Sequence, residues 1–253
     1  MTTLAVIPAR LGATRLPRKP LRLLGGAPLV VRVWERVRAL EVADRVVVAT
    51  DSVEVAEAAA AVGAEVVLTR PDHPSGTDRV AEVAPRAEYA GARVVLNVQG
   101  DEPFVSEAVV RGALGMVRDR GFALGTAAVP APGDVRTRPD IVKVVTADDG
   151  RALYFSRAGI PFVRDAGHDA PSDVPVLQHV GVYAYRPDAL ARWVALPEHP
   201  LERAERLEQL RPLAASLGIG VAIVRESPTP GIDTESDLMD ANARWADLYP
   251  DRR

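Results

Sequence analysis

LAVIPARLGATRLPRKPL, Leu4 to Leu21, is the stretch on which the fold turns. Leu4-Ala5-Val6-Ile7 is an unbroken apolar run, the pattern of a strand buried on both faces. The residues after Ile7 are expected to leave regular structure. Pro8, Pro17 and Pro20 remove backbone donors and fix φ, and Gly12 permits a turn. Residues 1–22 carry five basic side chains, Arg10, Arg15, Arg18, Lys19 and Arg22, and no acidic one. A cationic, glycine-containing loop after a first strand suits a polyphosphate. A merely solvated basic loop has the same composition, but its place after strand one and the segments further on favour a ligand.

Outward from that loop, apolar runs alternate with helical periodicity. Leu29, Val30, Val33, Val37 and Leu40 recur at helical spacing. RVVVA (45–49) reads as a second buried strand. Asp51, three residues before Glu54, reads as a capping-box start to an alanine-rich helix that ends at Gly63. Strands are expected at 65–68, at RVVLN (93–97) and at 123–129. Between them SGTDR (75–79) opens a short helix that stops at Pro85, and Ser106 caps another running to about Arg120. This alternation predicts an α/β, Rossmann-like, mostly parallel sheet covered by helices. Ligands in such sheets sit at the carboxyl ends of the strands. Arg10–Lys19, Asp51, Ser75–Arg79 and Gln99–Glu102 all fall just after strands, so they are expected along one edge.

The second half has a different texture. Strands are read at 141–146, 152–155 and 176–185 with little helix between them, and a polar loop over 164–175. Pro200 opens a helix with Leu201, Leu207 and Leu210 on one face, broken near Pro212. A late strand (219–224), a Pro/Gly loop (227–231) and a final helix from about Glu235 to Leu248 complete the chain. With no linker visible, 1–253 reads as one domain with a β-rich insertion at about 140–200, a candidate for dimerisation and sugar-side contacts.

Bulk properties narrow the function. The 253 residues are 47% hydrophobic, enough for a packed core, and the net charge is −3, which gives no general case for nucleic acid or an anionic membrane. No cysteine is present, so disulfides, thiolate nucleophiles and cysteine-bound zinc are excluded. A strand within four residues of the N-terminus leaves no room for a signal peptide, and no run approaches the ~20 apolar residues of a membrane span. A cytoplasmic protein is expected. Of 31 basic residues only Lys19 and Lys143 are lysine, which marks sites that want a compact point charge or else is chance.

No Walker A sequence, dinucleotide fingerprint, HExxH or GxSxG occurs, and the four histidines lack metal-ligand spacing. A metal here would be a hard cation on carboxylates. Asp101, in NVQGDEP just beyond a buried strand, is the first candidate. Asp233, in GIDTESDL, is the second, with an N-cap as its structural alternative. The two are 132 positions apart (233 − 101), so only the fold can join them. Ser75-Gly76-Thr77 can offer donors to an anion or base edge, or Thr77 can simply cap. Arg157, in YFSR, can grip a carboxylate or form a surface salt bridge.

Taken together, IPARLGATRLPRKPL, VATD (48–51), SGTDR, NVQGDEP, KVV (143–145), YFSR, HVGVYAYR (179–186), LEQLR (207–211) and GIDTESDL resemble the 3-deoxy-manno-octulosonate (Kdo) cytidylyltransferase family over roughly Leu4 to Leu238. The resemblance implies the nucleotide-diphospho-sugar transferase type of fold and transfer of CMP from CTP to the anomeric hydroxyl of Kdo, for lipopolysaccharide biosynthesis. It implies Arg10 and Lys19 on the triphosphate, and Pro8, Ala9 and Ser75 near cytosine and ribose. It also implies Mg2+ on Asp101 and Asp233, and Gln99, Arg157, His179, Tyr183, Glu208 and Gln209 around the sugar with Arg79 nearby. The expected partners are CTP and Kdo, in a homodimer. Related sugar acids (8-amino-Kdo, sialic acid) and a non-catalytic nucleotide-binding module are the alternatives. Two positions depart from the family pattern: Arg18 where a small, glycine-like residue precedes the lysine, and Gln178 where an arginine precedes the histidine.

Overall fold

The computed structural model describes residues 2–12, 15–164, 175–227 and 231–248. The chain divides into two compact units, Met1–Glu107 with Thr229–Arg253, and Ala108–Pro228. The polar loop read over 164–175 and most of the Pro/Gly loop at 227–231 lie outside the described residues.

The first unit is built on β1, Thr3–Ala9, every residue of which is buried. The strand runs two residues past the apolar stretch, through Pro8, before the basic loop begins. That loop closes with a single 3-10 turn, Lys19–Leu21, and a short hairpin of β2, Leu23–Leu24, and β3, Ala27–Pro28. Helix α1, Leu29–Ala39, then buries Leu29, Val30, Val33 and Val37 as the spacing predicts, packing on β1 and on β4, Arg45–Thr50. Full burial of each such side chain contributes about 1.5–3 kcal/mol. Next come α2, Val53–Ala60, β5, Glu65–Leu68, α3, Gly76–Val83, and β6, Val94–Asn97. β4 and β6 flank β1 in parallel register, with Ile7 opposite Val48 and Val6 opposite Asn97, and β5 adds to β4 in parallel. The carboxyl ends of these four strands therefore share one edge, as expected.

Two caps differ from the sequence reading. Ser52, not Asp51, caps α2, accepting from Val55 N at 3.4 Å. Ser75, not Thr77, caps α3, accepting from Asp78 N at 3.2 Å, while Thr77 is buried. In both cases the residue at the N-cap position has extended backbone, which aims its oxygen at the orphan N–H groups of the first turn.

The second unit contains α4, Glu107–Arg118, which starts at the boundary, then β7, Leu124–Ala131, β8, Lys143–Thr146, β9, Ala152–Ser156, and β10, Val176–Tyr185. It continues with α5, Pro187–Ala195, α6, Pro200–Glu205, α7, Leu210–Ala214, and β11, Ile219–Ile223. β7 runs antiparallel to β10 and parallel to β11, and β8 pairs antiparallel with both β10 and β9. The predicted strands of 140–200 are thus present. Helix α5, with Leu190 and Trp193 buried, is an addition that the β-rich reading did not contain. The helix opened by Pro200 also ends early. Arg206 takes a left-handed φ of 55° after Glu205, and Pro212 lies in the first turn of α7, where no N–H is needed. Leu207 and Leu210 are buried, whereas Leu201 is exposed.

The chain returns to the first unit as α8, Glu235–Leu248. Thr234 and Asp237 close its first turn reciprocally: Asp237 N donates to Thr234 Oγ1 at 3.2 Å, and Thr234 N to Asp237 Oδ2 at 2.8 Å. That leaves the Asp233 side chain free of the capping role. No helix among the described residues is long and apolar enough to cross a membrane.

Candidate active site

In the first unit the basic loop meets both predicted acids. Lys19 Nζ donates to Asp101 Oδ2 at 2.6 Å and to Asp233 Oδ1 at 2.9 Å, and Arg15 Nη2 donates to Asp233 Oδ2 at 2.8 Å. A backbone bond from Ile232 N to Asp101 O, 2.9 Å, ties the two acidic loops together. Burial works against the Lys19 charge, but Asp101 and Asp233 outweigh it and the Lys19 pKa is raised. Glu102, beside them, is pushed up to about 8 by burial, reinforced by the charges of Asp101 and Asp233.

Lys19 is placed by its turn. Leu21 N donates to Arg18 O at 2.9 Å, and Arg18 adopts φ 56°, ψ 32°, the left-handed region that glycine occupies most readily. That backbone explains why a small residue is usual there. Here the Arg18 guanidinium reaches across to Glu54 in α2.

The other residues expected on the nucleotide side lie on the same edge. Pro8 and Ala9 end β1, and a Cβ added to Gly100 would come 2.8 Å from Pro8 O, so the QGDEP loop crosses the end of β1 at backbone contact. A Cβ at Gly76 would meet Gln99 Oε1 at 3.2 Å and Pro8 Cγ at 3.3 Å. Gln99, expected around the sugar, therefore lies in the first unit beside the start of α3 and Ser75. Arg10 is exposed at the end of β1. Arg79, expected near the sugar, is only 2% exposed, and its guanidinium is bound to Asp51 Oδ2 (3.0 Å), Thr69 Oγ1 and Arg70 O. Its role in this structure is internal packing of the β4 and β5 ends.

Among the described residues no three His, Cys, Asp or Glu side chains are arranged to hold a metal. Magnesium needs less: one or two carboxylates with substrate phosphates and waters. Asp101 and Asp233, already drawn onto one ammonium, have the donor chemistry and the convergence for that ion.

The second unit holds a different set. His179 on β10 is fully buried, and burial lowers its pKa to about 3, so it is neutral at physiological pH. Its Nε2 lies 3.0 Å from Thr126 Oγ1. The Thr126 hydroxyl has one proton and also lies 2.8 Å from Val182 O and 3.1 Å from Val180 O, and when that proton goes to a carbonyl Nε2–H is the donor and Nδ1 the acceptor. Phe155 meets His179 edge-on at 5.0 Å between ring centroids, and Tyr183 lies at 5.4 Å. The Tyr183 hydroxyl is buried with no hydrogen-bond partner among the described residues, and burial with nearby Tyr185 and Glu208 raises its pKa well above 10. An orphaned buried hydroxyl is rare and costly, and a polyol ligand would satisfy it. Gln209 is buried at the start of α7, next to Glu208.

Arg157 is held rather than loose. Its Nε donates to Glu205 O at 2.8 Å, its Nη1 to Pro139 O at 3.1 Å, and its backbone N to Glu205 Oε2 at 2.9 Å. The guanidinium is thus held by two backbone carbonyls, and the Glu205 carboxylate receives the backbone N–H. Lys143 is wholly buried: its ammonium donates to Arg138 O and Ile141 O, both at 2.7 Å, and to Arg157 O. Burial, with the Arg157 charge, lowers its pKa. The second lysine pins the backbone around Arg157.

A family model described as cytidylyltransferase matches residues 4–221. The chain is 62% identical over 249 residues to the 3-deoxy-manno-octulosonate cytidylyltransferase of Gemmatimonas aurantiaca, covering 98% of this chain and 96% of that protein. It is 47% identical over 238 residues to the protein of the same name from Leptothrix cholodnii, covering 92% and 88%. Among solved structures, a CMP:2-keto-3-deoxy-manno-octonic acid synthetase complexed with CTP matches at a TM-score of 0.90 and 38% identity, over 98% of this chain and 100% of that one. A 4-diphosphocytidyl-2C-methyl-D-erythritol synthase from Anaerococcus prevotii, at a TM-score of 0.61 and 12% identity over 96% and 97%, shares the fold. With its basic loop closed over two converging aspartates, and with relatives of this likeness along nearly its whole length, the chain belongs to the cytidylyltransferase family, among the 3-deoxy-manno-octulosonate cytidylyltransferases.

Proposed function

We propose that this enzyme activates 3-deoxy-manno-octulosonate with CTP, giving CMP-Kdo and pyrophosphate. The observation that carries the residue assignment is the convergence of Asp101 and Asp233 on Lys19, which joins distant chain segments beneath a phosphate-binding loop. Arg10 and Lys19 take the triphosphate, Pro8, Ala9 and Ser75 border the nucleoside, and Asp101 and Asp233 hold Mg2+. When bound, the metal neutralises phosphate charge and fixes the triphosphate's orientation. In the second unit Tyr183 O–H and His179 Nδ1 offer one donor and one acceptor to sugar hydroxyls, and Arg157, Glu208 and Gln209 extend the polar set.

The sugar's anomeric oxygen attacks the α-phosphorus and loses its proton. The bond from that phosphorus to the β-bridging oxygen breaks, and pyrophosphate leaves. The nucleophile belongs to the substrate, so the protein's part is alignment and charge neutralisation, and alignment of this kind supplies on the order of 7–11 kcal/mol. We read both units as one functional domain, dimeric and cytoplasmic. Pyrophosphate release should require CTP, Kdo and magnesium together. A panel of CTP, UTP, GTP and ATP against Kdo, 8-amino-Kdo and sialic acid tests this, and faster turnover of another sugar acid or nucleotide would replace the substrate assignment.

A further inference from the structure

The two aspartates already hold cationic partners. Both oxygens of Asp233 are engaged, Oδ1 by Lys19 and Oδ2 by Arg15, and Asp101 Oδ2 is engaged by Lys19 at 2.6 Å. A divalent cation seeking those same oxygens meets two positive heads already seated there. It would have to displace charge-assisted hydrogen bonds, the stronger kind, and accept like-charge repulsion at contact distance. A triphosphate changes the exchange. Its oxygens are good acceptors for ammonium and guanidinium groups, so it draws the two cations off the carboxylates while adding metal ligands of its own. The anatomy permits that swing at the side chains: Arg15 has a side chain 67% exposed and Lys19 one 18% exposed, while the turn that carries Lys19 is closed by Leu21 N to Arg18 O and Arg22 N to Lys19 O.

We propose that Lys19 and Arg15 act as stand-in cations on Asp101 and Asp233, so that this protein takes up its divalent ion only with, or after, a nucleoside triphosphate. The inference rests on the metal assignment above and adds an order of binding to it. By linkage, whatever factor the nucleotide adds to metal affinity, the metal adds to nucleotide affinity.

The test is metal binding itself, without turnover. Mn2+ is titrated into the protein and free ion is read by electron paramagnetic resonance, with no nucleotide and then with a non-hydrolysable CTP analogue. Wild type should bind Mn2+ weakly alone and about tenfold or more tighter with the analogue. Lys19→Met should bind Mn2+ without nucleotide about tenfold tighter than wild type. Arg15→Met, a change at an exposed side chain that leaves the packed turn alone, should shift binding in the same direction by less. Adding Asp101→Asn to Lys19→Met should abolish the gain. Equal affinity of wild type and both single variants in the absence of nucleotide overturns the stand-in role while leaving the metal assignment intact. No binding by wild type even with the analogue overturns the metal assignment, and the stand-in role with it.

Discussion

The two units hold their functional side chains in opposite ways. In the first, charged groups from three distant chain segments meet in a partly exposed cluster: Lys19 with an 18% exposed side chain, Asp101 with 25% and Asp233 with 43%. In the second, His179 and Tyr183 are buried among aromatic rings on one strand, and both are neutral. The first arrangement can exchange partners, because each ion pair is wetted and its net worth is small. The second cannot reorganise without repacking a core, so it suits recognition of a fixed shape. The proposed division, triphosphate on the first set and sugar acid on the second, would use that difference.

The comparison can be broken most sharply in the charged cluster. Asp101→Asn should lower CMP transfer by about 10²–10³ or more, the scale seen when one group stabilising a transition state is lost. Its melting temperature should barely move, since Lys19 keeps Asp233. Normal pyrophosphate release at ordinary magnesium would remove Asp101 from the metal site. Lys19→Ala should lower kcat/KM by about 10²–10³ for the same reason, and a change confined to thermal stability would make the loop a solvated one.

The buried set predicts the reverse pairing of effects. Tyr183→Phe removes a buried hydroxyl that has no partner, so the free protein should gain about 1 kcal/mol of stability while KM for the sugar acid rises. A loss of stability with unchanged KM would mean the hydroxyl serves the core. His179 adds a pH test. The folded protein holds it near 3, against about 6.5 in an unfolded chain, so its contribution to stability is complete above pH 6.5 and is lost as pH falls toward 3. Denaturant titrations of His179→Gln should show a shallower acid decline than wild type over that window, and parallel curves would contradict the burial. The smallest effect belongs to Arg18→Gly. It relaxes a left-handed backbone and removes the Glu54 contact, and the two should nearly offset, shifting Tm by less than about 2 °C.

Legibility in the sequence tracked the range of the forces involved. Strand runs such as RVVVA and RVVLN and the α1 periodicity were readable because burial pattern is local to the element. Caps were readable only to within a residue or two: Asp51 and Ser52, or Ser75 and Thr77, have similar capping chemistry, and only backbone direction separates them. The internal partners of Arg79 were not legible, because a basic residue in a motif says nothing about whether its guanidinium faces outward or toward the interior, where Asp51 and Thr69 receive it. Helix α5 went unread although Pro187 opens it with Asp188 in its first turn, a start signal the sequence reading passed over, whereas the break at Arg206 has no glycine or proline to mark it.

By itself the sequence determined the alternation that makes a parallel α/β unit, the absence of cysteine chemistry, and a proline-bound cationic loop after the first strand. These are properties of neighbouring residues, set by steric and hydrophobic periodicity. Only the tertiary structure decided that Asp233 is released from helix capping by Thr234 and Asp237, that it meets Asp101 on one ammonium, and that Lys143 ties backbone carbonyls together. Those outcomes depend on contacts between residues far apart in the chain, which composition and spacing do not encode until the strands are paired.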